Sequence, residues 1–153
     1  MYGSETALAE TFRDTASLFE AGADYQIVKK SILGSMELGD LAFMAKALDN
    51  ADIYKKALIV PVSHELWQTY GSSLHKNEFV VYYLSKIKDT NIGVLIIEEQ
   101  PTTFRLEFRS RDVTFNVAKL AVTLGGGGHK NAAGATLRNM SMQEAIQAVK
   151  NLL

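Results

Sequence analysis

Apolar positions in the first third of the chain recur at helical spacing. Leu8, Phe12 and Phe19 fall on one face of a first helix that Gly22 is placed to stop. Asp24 can cap a second helix that carries Val28 and Ile32 and ends at Gly34, and Leu38, Leu41, Ala45 and Leu48 form the stripe of a third. Three short amphipathic helices make a poor stand-alone domain, because each stripe needs a surface to pack on. The polar run "DNADIYKK", residues 49–56, interrupts the pattern and is read as a hinge.

Beyond it the pattern alternates between β and α. "ALIVPVS", residues 57–63, is a continuous apolar run of buried-strand length, in which Pro61 favours an edge position. "HELWQTYGSS" reads as a short helix. "NEFVVYYLSKI" is rich in β-branched and aromatic residues, yet Val80, Tyr83, Leu84 and Ile87 fit helical spacing, and a helix is expected. "NIGVLIIEEQ" and "TTFRLEFRSR" read as two strands of a hairpin joined at Gln100-Pro101. In the second strand Phe104, Leu106 and Phe108 face in, while Arg105, Glu107, Arg109 and Arg111 face out. Asp112 can cap a helix with the stripe Val113, Val117, Leu120, Ala121 and Leu124. A last helix opens with the capping box Ser141-Met142-Gln143-Glu144 and carries Ile146, Val149 and Leu153. The order predicts an α/β fold preceded by a short helical segment.

Composition narrows the picture. A chain of 153 residues with 47% hydrophobic residues can bury one average core. No uncharged apolar run approaches the ~18 residues that a membrane span needs, and no signal peptide is visible, so a cytoplasmic protein without membrane contact is expected. The absence of cysteine excludes disulfides and thiolate metal sites. With 16 Lys+Arg against 17 Asp+Glu, a broad basic face for long duplex DNA is not expected, although a few placed groups can still hold a small anion.

"LGGGGHKNAAGATL", residues 124–137, is the most distinctive stretch. Ordering a residue costs ~1–2 kcal/mol of backbone entropy, more for glycine, so a glycine run is either a linker or has a compensating role. Linkers have polar flanks, whereas this run lies between an apolar helix stripe and "AAGATL". Bare backbone amides can converge on an anion, and a following helix N-terminus would add partial positive charge. His129 and Lys130 sit at the edge of such a nest, and Ala132, Ala133 and Gly134 are small enough to let it pack closely on a sheet. The run fits neither the phosphate-binding G-x-x-x-x-G-K-[ST] loop nor the dinucleotide G-x-G-x-x-G turn, which follows a strand. Arg109, ending an alternating strand beside Ser110, is a second candidate, since a guanidinium matches two phosphate oxygens. An outward arginine on a strand can also be merely solvated, and that reading is kept for Arg105.

"RS" followed by "GGGGHKNAAG" resembles the DHH family of phosphoesterases, and specifically their C-terminal DHH-associated domain. The resemblance extends over about residues 55–153, and "LFEAGADYQIVKKSI" is similar to the end of the family's catalytic domain. It implies a mixed β-sheet with flanking helices over residues 51–153, and a helical remnant of the catalytic domain plus hinge over residues 1–50. It further implies that Arg109, Ser110, Gly126, Gly127, Gly128 and His129 bind the phosphate and nucleotide of a substrate, with a short single-stranded nucleic acid or nucleotide as partner. Members include nanoRNases that also dephosphorylate adenosine bisphosphate, RecJ-type exonucleases and cyclic dinucleotide phosphodiesterases.

Hydrolysis in that family uses two divalent ions, usually manganese, held in an N-terminal domain that carries an Asp-His-His triplet. The present sequence contains no such triplet, and its histidines are His64, His75 and His129. His64 and His75 are read as surface or helix-end residues. The expectation is therefore the binding half of an enzyme, with no catalytic or metal site of its own and inactive without the catalytic domain. A non-catalytic RNA-binding module like the one appended to alanyl-tRNA synthetases is the alternative, and a purely structural module a third.

Overall fold

The computed structural model describes residues 5–27, 38–70, 80–81, 83–112 and 114–153. It divides into two compact units, Met1–Glu37 and Leu38–Leu153. In the first, α1 (Glu5–Glu20) ends where Gly22 takes a left-handed φ of 92°, as its position suggested. Asp24 Oδ1 then accepts from the backbone N–H of Gln26 and Ile27, the cap expected of it. Phe12 is 68% exposed, and the positions of Val28, Ile32 and Gly34 lie outside the described residues.

The second unit runs α2 (Leu38–Leu48), β1 (Asp52–Tyr54), β2 (Ala57–Val62), α3 (His64–Tyr70), β3 (Ile92–Gln100), β4 (Thr103–Ser110), α4 (Val117–Thr123), β5 (Gly127–His129), β6 (Ala132–Arg138) and α5 (Met142–Leu152). The described strands form one six-stranded sheet in the order β1-β2-β3-β4-β6-β5. β2 and β3 pair in parallel and every other pair is antiparallel, so the sheet is mixed, as the resemblance implies.

Two expectations about the start of this unit need correction. Residues 49–56 are not a hinge: Asp52, Ile53 and Tyr54 pair with Ile59, Leu58 and Ala57. Nor is α2 a detached remnant, because Phe43 and Ala47 are fully buried in the same core as β2 and β3. The stripe read from its sequence, Leu38, Leu41, Ala45 and Leu48, is its exposed side. Pro61 does sit where proline is tolerated. It lies two residues past the last β1 partner, at a locally open edge of β2.

Side-chain alternation assigns the two faces of the sheet. Ile59, Val94, Ile96, Phe104, Leu106, Phe108, Ala135 and Leu137 face α4 and α5, whose Val117, Ala121, Ala145 and Val149 close that core. On the other face Leu58, Val60, Val62, Leu95 and Ile97 are covered by Phe43 and Ala47 of α2, by Trp67 of α3, and by Val80, Val81 and Leu84. The segment around Val80 is helical at 80–81 and 83–84, with Val81 rather than Tyr83 or Ile87 turned inward. A Cβ at Gly93 would stand 2.8 Å from the Leu84 Cβ, so glycine there lets this segment lie directly on β3. Among the described residues no helix covers this face beyond β3. The outer surface of β4, β6 and β5 is left open.

Candidate functional site

The β3–β4 hairpin turns at Pro101 and Thr102, the latter at φ 59°. β4 then alternates strictly: Phe104, Leu106, Phe108 and Ser110 are buried, while Arg105, Glu107 and Arg109 stand on the open face. In an antiparallel pair, residues directly opposite point to the same side. Arg109 is opposite Ala132, and Ala132 is opposite His129, so the three form one row across β4, β6 and β5. Two inter-strand spacings separate the ends of that row, about 10 Å. In the next row Glu107, Gly134 and Gly127 are aligned, and in the third Arg105 faces Thr136.

The small residues now have a physical role. Ala132, Gly134 and Gly127 give the open face a floor of nearly bare backbone, with Arg109 and His129 at opposite ends of one row. An open cleft of about 680 Å³ lies over it, lined by Arg105, Glu107, Arg109, glycines 125–128, Ala132, Gly134 and Thr136. No described residue hydrogen-bonds or ion-pairs with the side chain of Arg109 or His129. A guanidinium and an imidazole held above exposed amides can together donate to one oxyanion.

The glycine run does not form a nest that leads into a helix, as read from the sequence. It ends α4 and begins strand β5. Gly126 N–H donates to Ala121 O at 2.7 Å and Gly125 N–H to Val122 O at 3.0 Å, with Gly125 at φ 77°. This is the paired 6→1 and 5→2 bonding of a Schellman cap. Gly126 and Gly128 then lie against β6, where added Cβ atoms would stand 2.1 Å from Gly134 O and 2.5 Å from Ala133 Cα. At Gly127 a Cβ would meet nothing within 4 Å. Two of the four glycines thus allow β5 to dock, one caps a helix, and one faces the cleft.

Ser110 does not join Arg109. It lies on the opposite face, 8% exposed, and its Oγ donates to Asp112 O at 3.0 Å and accepts from Asp112 N–H at 3.1 Å. Its backbone N–H donates to Asn131 O, and Val117 N–H donates to Lys130 O, which stitches the β5–β6 turn to the end of β4 and the start of α4. Asn116 caps that helix, accepting from Ala118 N–H, in place of the expected Asp112. Asp112 instead accepts from the Thr114 Oγ1–H and N–H, which hold its carboxyl below the usual carboxylate range. Val113 and His75 lie outside the described residues. His64 opens α3, with its ring Nδ1 3.2 Å from Glu98 O, a helix-end position as read.

Arg105 is not the solvated arginine that its sequence suggested. Its side chain is 20% exposed, its Nε lies 2.7 Å from Glu99 Oε1, its Nη1 donates to Glu107 Oε1, and its Cζ lies 5.6 Å from the centre of the Trp67 ring. The Glu99 contact is an ion pair set off the N–H axis rather than a directed hydrogen bond, and Nη2 has no hydrogen-bond partner. Glu99 reaches Arg105 because the β3–β4 register shifts between Glu98 and Gln100. The available signal was the alternation of charge in "FRLEFR" opposite small residues at every second position of "AAGAT".

A family model described as "DHHA1 domain" matches residues 73–153. The chain belongs to the DHHA1 domain family. Its β3–β6 and α4–α5 fall within the match, whereas α2, β1, β2 and α3 precede it. The sequence is 30% identical over 124 residues to the "Bifunctional oligoribonuclease and PAP phosphatase NrnA" of Mycoplasma genitalium, covering 81% of this chain and 38% of that protein. It is 38% identical over 71 residues to the NrnA of Mycoplasma pneumoniae, covering 46% and 21% respectively. The chain thus spans well under half the length of these curated relatives. The fold is shared with an exopolyphosphatase-related protein from Bacteroides fragilis, at TM-score 0.78 and 23% identity over 94% of this chain and 44% of that one. It is also shared with the pGpG-specific phosphodiesterase PggH from Vibrio cholerae, at TM-score 0.56 and 17% identity over 74% and 38%.

Proposed function

We propose that this DHHA1 chain is the substrate-holding part of a DHH-family phosphoesterase, and that its cleft takes the phosphate of a nucleotide or short single-stranded oligonucleotide. The observation that carries this reading is the row Arg109–Ala132–His129, two unengaged donors facing each other across a side-chain-poor floor. Relatives named for oligoribonuclease and phosphatase activity support a phosphorylated ligand. The near-neutral chain charge suits a short ligand held by a few groups better than a long one.

The described residues do not fit the pair of divalent ions on which the family's hydrolysis is expected to depend. Such a centre needs clustered carboxylates and imidazoles. Among the described residues no three His, Asp or Glu side chains come together, and His64 and His129 serve separate ends of the sheet. In this reading the chain binds and orients the substrate, and bond cleavage with manganese belongs to a DHH catalytic domain.

Calorimetric titration of the chain with nucleoside 5′-monophosphates and a short oligoribonucleotide, repeated with Arg109→Ala, tests the reading. Measurable binding that the variant weakens is expected. Failure to bind any of these, or binding that ignores Arg109, overturns it.

A further inference from the structure

The sheet carries opposite charge at its two ends. At the end where β2, β3 and β6 begin, the flanking segments hold Lys55, Lys56, Lys88, Arg109, Arg111 and Lys130 against Asp89 and Asp112. At the other end Glu65, Glu98 and Glu99 stand against Arg138. Backbone bonds stitch the basic end together. Asn91 N–H donates to Lys56 O at 2.8 Å and Arg111 N–H donates to Asn91 O at 3.0 Å. Lys56, Asn91 and Arg111 therefore stand side by side, and two inter-strand spacings, roughly 10 Å, separate the outer two. The side chains of Lys56 and Arg111 form no hydrogen bond or ion pair with any described residue. Asp112, whose ionised form the Lys56 charge favours, has one oxygen engaged by Asn91 Nδ2 and the other by Thr114. Beside Lys56 lies a pocket of about 230 Å³, with Lys55, Lys56 and Asn91 on its polar side and Ile92, Phe115 and Leu153 as its apolar wall. It opens on the helix-covered face of the sheet, opposite to the cleft. Arg111 links the two, lying two residues beyond Arg109 of the cleft and bonded to Asn91 of the pocket.

We propose that this end of the sheet is a second nucleotide subsite, which takes a unit beyond the one in the cleft, its phosphate between Arg111 and Lys56 and its base in the pocket against Phe115. This rests on the phosphate-binding reading above. A single strand that leaves the cleft past Arg109 meets Arg111 next and can turn over the sheet end, whereas the opposite direction leads toward Glu98 and Glu99, which repel phosphate. An apolar wall with one aromatic ring suits any base, because every base has a π-face. The subsite therefore reads the length of the strand and not its sequence.

Calorimetric titration of the unaltered chain with AMP and with the 5′-phosphorylated adenylate trimer, at several salt concentrations, tests this. The trimer should bind at least about fivefold tighter than AMP, the effect of one stacked base. Its affinity should also fall more steeply with salt, by about 0.7 in the logarithmic slope for each further phosphate neutralised. The double variant Lys56→Gln, Arg111→Gln should bring the trimer's slope back to that of AMP. Phe115→Leu should lower the trimer's affinity without changing its slope. If the trimer binds no better than AMP, the second subsite is overturned and the cleft reading stands. If the trimer's advantage survives either substitution in a folded variant, other residues hold the extra unit and the inference is equally overturned. If neither ligand binds, both readings fall together.

Discussion

Gly126 lies so close to the carbonyl oxygen of Gly134 that a Cβ would stand 2.1 Å from it, while Gly127, the next residue, has nothing within 4 Å of the same position. Adjacent glycines in one run are therefore expected to fail differently. Gly126→Ala forces β5 away from β6 and should destabilise the chain by at least the ~1–3 kcal/mol typical of overpacking, visible as a lower melting midpoint. Gly127→Val should leave the melt nearly unchanged and weaken nucleotide binding, since its side chain enters the cleft in the Glu107–Gly134 row. A melt lowered equally by both would contradict the assignment of Gly127 to the open face.

Arg109→Ala and His129→Ala should each weaken binding of a nucleoside monophosphate by roughly 10- to 150-fold, the equivalent of one charge-assisted hydrogen bond at ~1.5–3 kcal/mol. Ser110→Ala should behave as a stability change instead. Its Oγ satisfies two backbone groups of Asp112 on the far face, and removing it should cost about 1–3 kcal/mol with little change in affinity. Calorimetry beside thermal melts separates the two effects, and a Ser110→Ala variant that loses binding while keeping its melt would place the hydroxyl in the site after all.

A chain starting at Leu38 should unfold cooperatively, because the unit Leu38–Leu153 contains its own core. Starting at Ala51 removes Phe43 and Ala47, both fully buried. Loss of a buried phenylalanine side chain alone costs ~3–5 kcal/mol, so the shorter chain should melt much lower or not cooperatively. Equal melts for the two would show that α2 adds nothing to the core.

Glu144 provides a pH-dependent term. Hydrogen bonds from the Ser141 N–H and Oγ–H hold its carboxyl below the ordinary 4.5. A depressed carboxyl contributes stability that is fully present above its unfolded value and is lost as pH falls through the folded one. Thermal melts from pH 7 downward should show a smaller acid-induced loss for Glu144→Gln than for the unaltered chain. Parallel pH profiles would remove Glu144 from the acid response.

Added manganese should not enable the purified chain to cleave a short oligoribonucleotide, since its described residues assemble no pair of metal sites. Manganese-dependent turnover that follows the chain through successive purification steps would refute this.

Much of the sheet was legible because its signals are local. Alternation in "FRLEFR", a two-residue turn at Pro101 and the box Ser141–Glu144 each specify one structure over a few residues. The exceptions were settled by distant contacts. In α2, apolar residues ring the helix, so Leu38, Leu41 and Leu48 looked as inward as Phe43 and Ala47 until the sheet selected a side. Asp112 and Asn116 are both good caps followed by valine. Val117 N–H bonding to Lys130 O, thirteen residues on, fixes the helix start at the second. β5 has the composition Gly-Gly-His, which no strand rule selects, and exists through its pairing with β6. The chemistry of Arg109 and the glycines singled them out as candidates, and the structure brings Arg109 and glycines 125–128 to one cleft. The row that sets His129 against Arg109, and the clamp of Arg105 on Glu107, became visible only with the register.

The parallel pairing of β2 with β3 also sets an order of events during folding. β3 and β4 are joined by a two-residue turn, and β1 and β2 by another, so both hairpins close over short loops at small entropic cost. Ala57 and Ile92 become partners only across an intervening stretch of 34 residues that must first fold back over the sheet. Non-local contacts of this kind form slowly. The two hairpins are accordingly expected to close before the β2–β3 seam and the outer part of the β4–β6 seam, where Thr103 and Arg138 lie as far apart in sequence as Ala57 and Ile92. Val60→Ala at the β2–β3 seam should therefore slow folding in stopped-flow refolding, and a refolding rate left unchanged would show that this seam forms after the barrier.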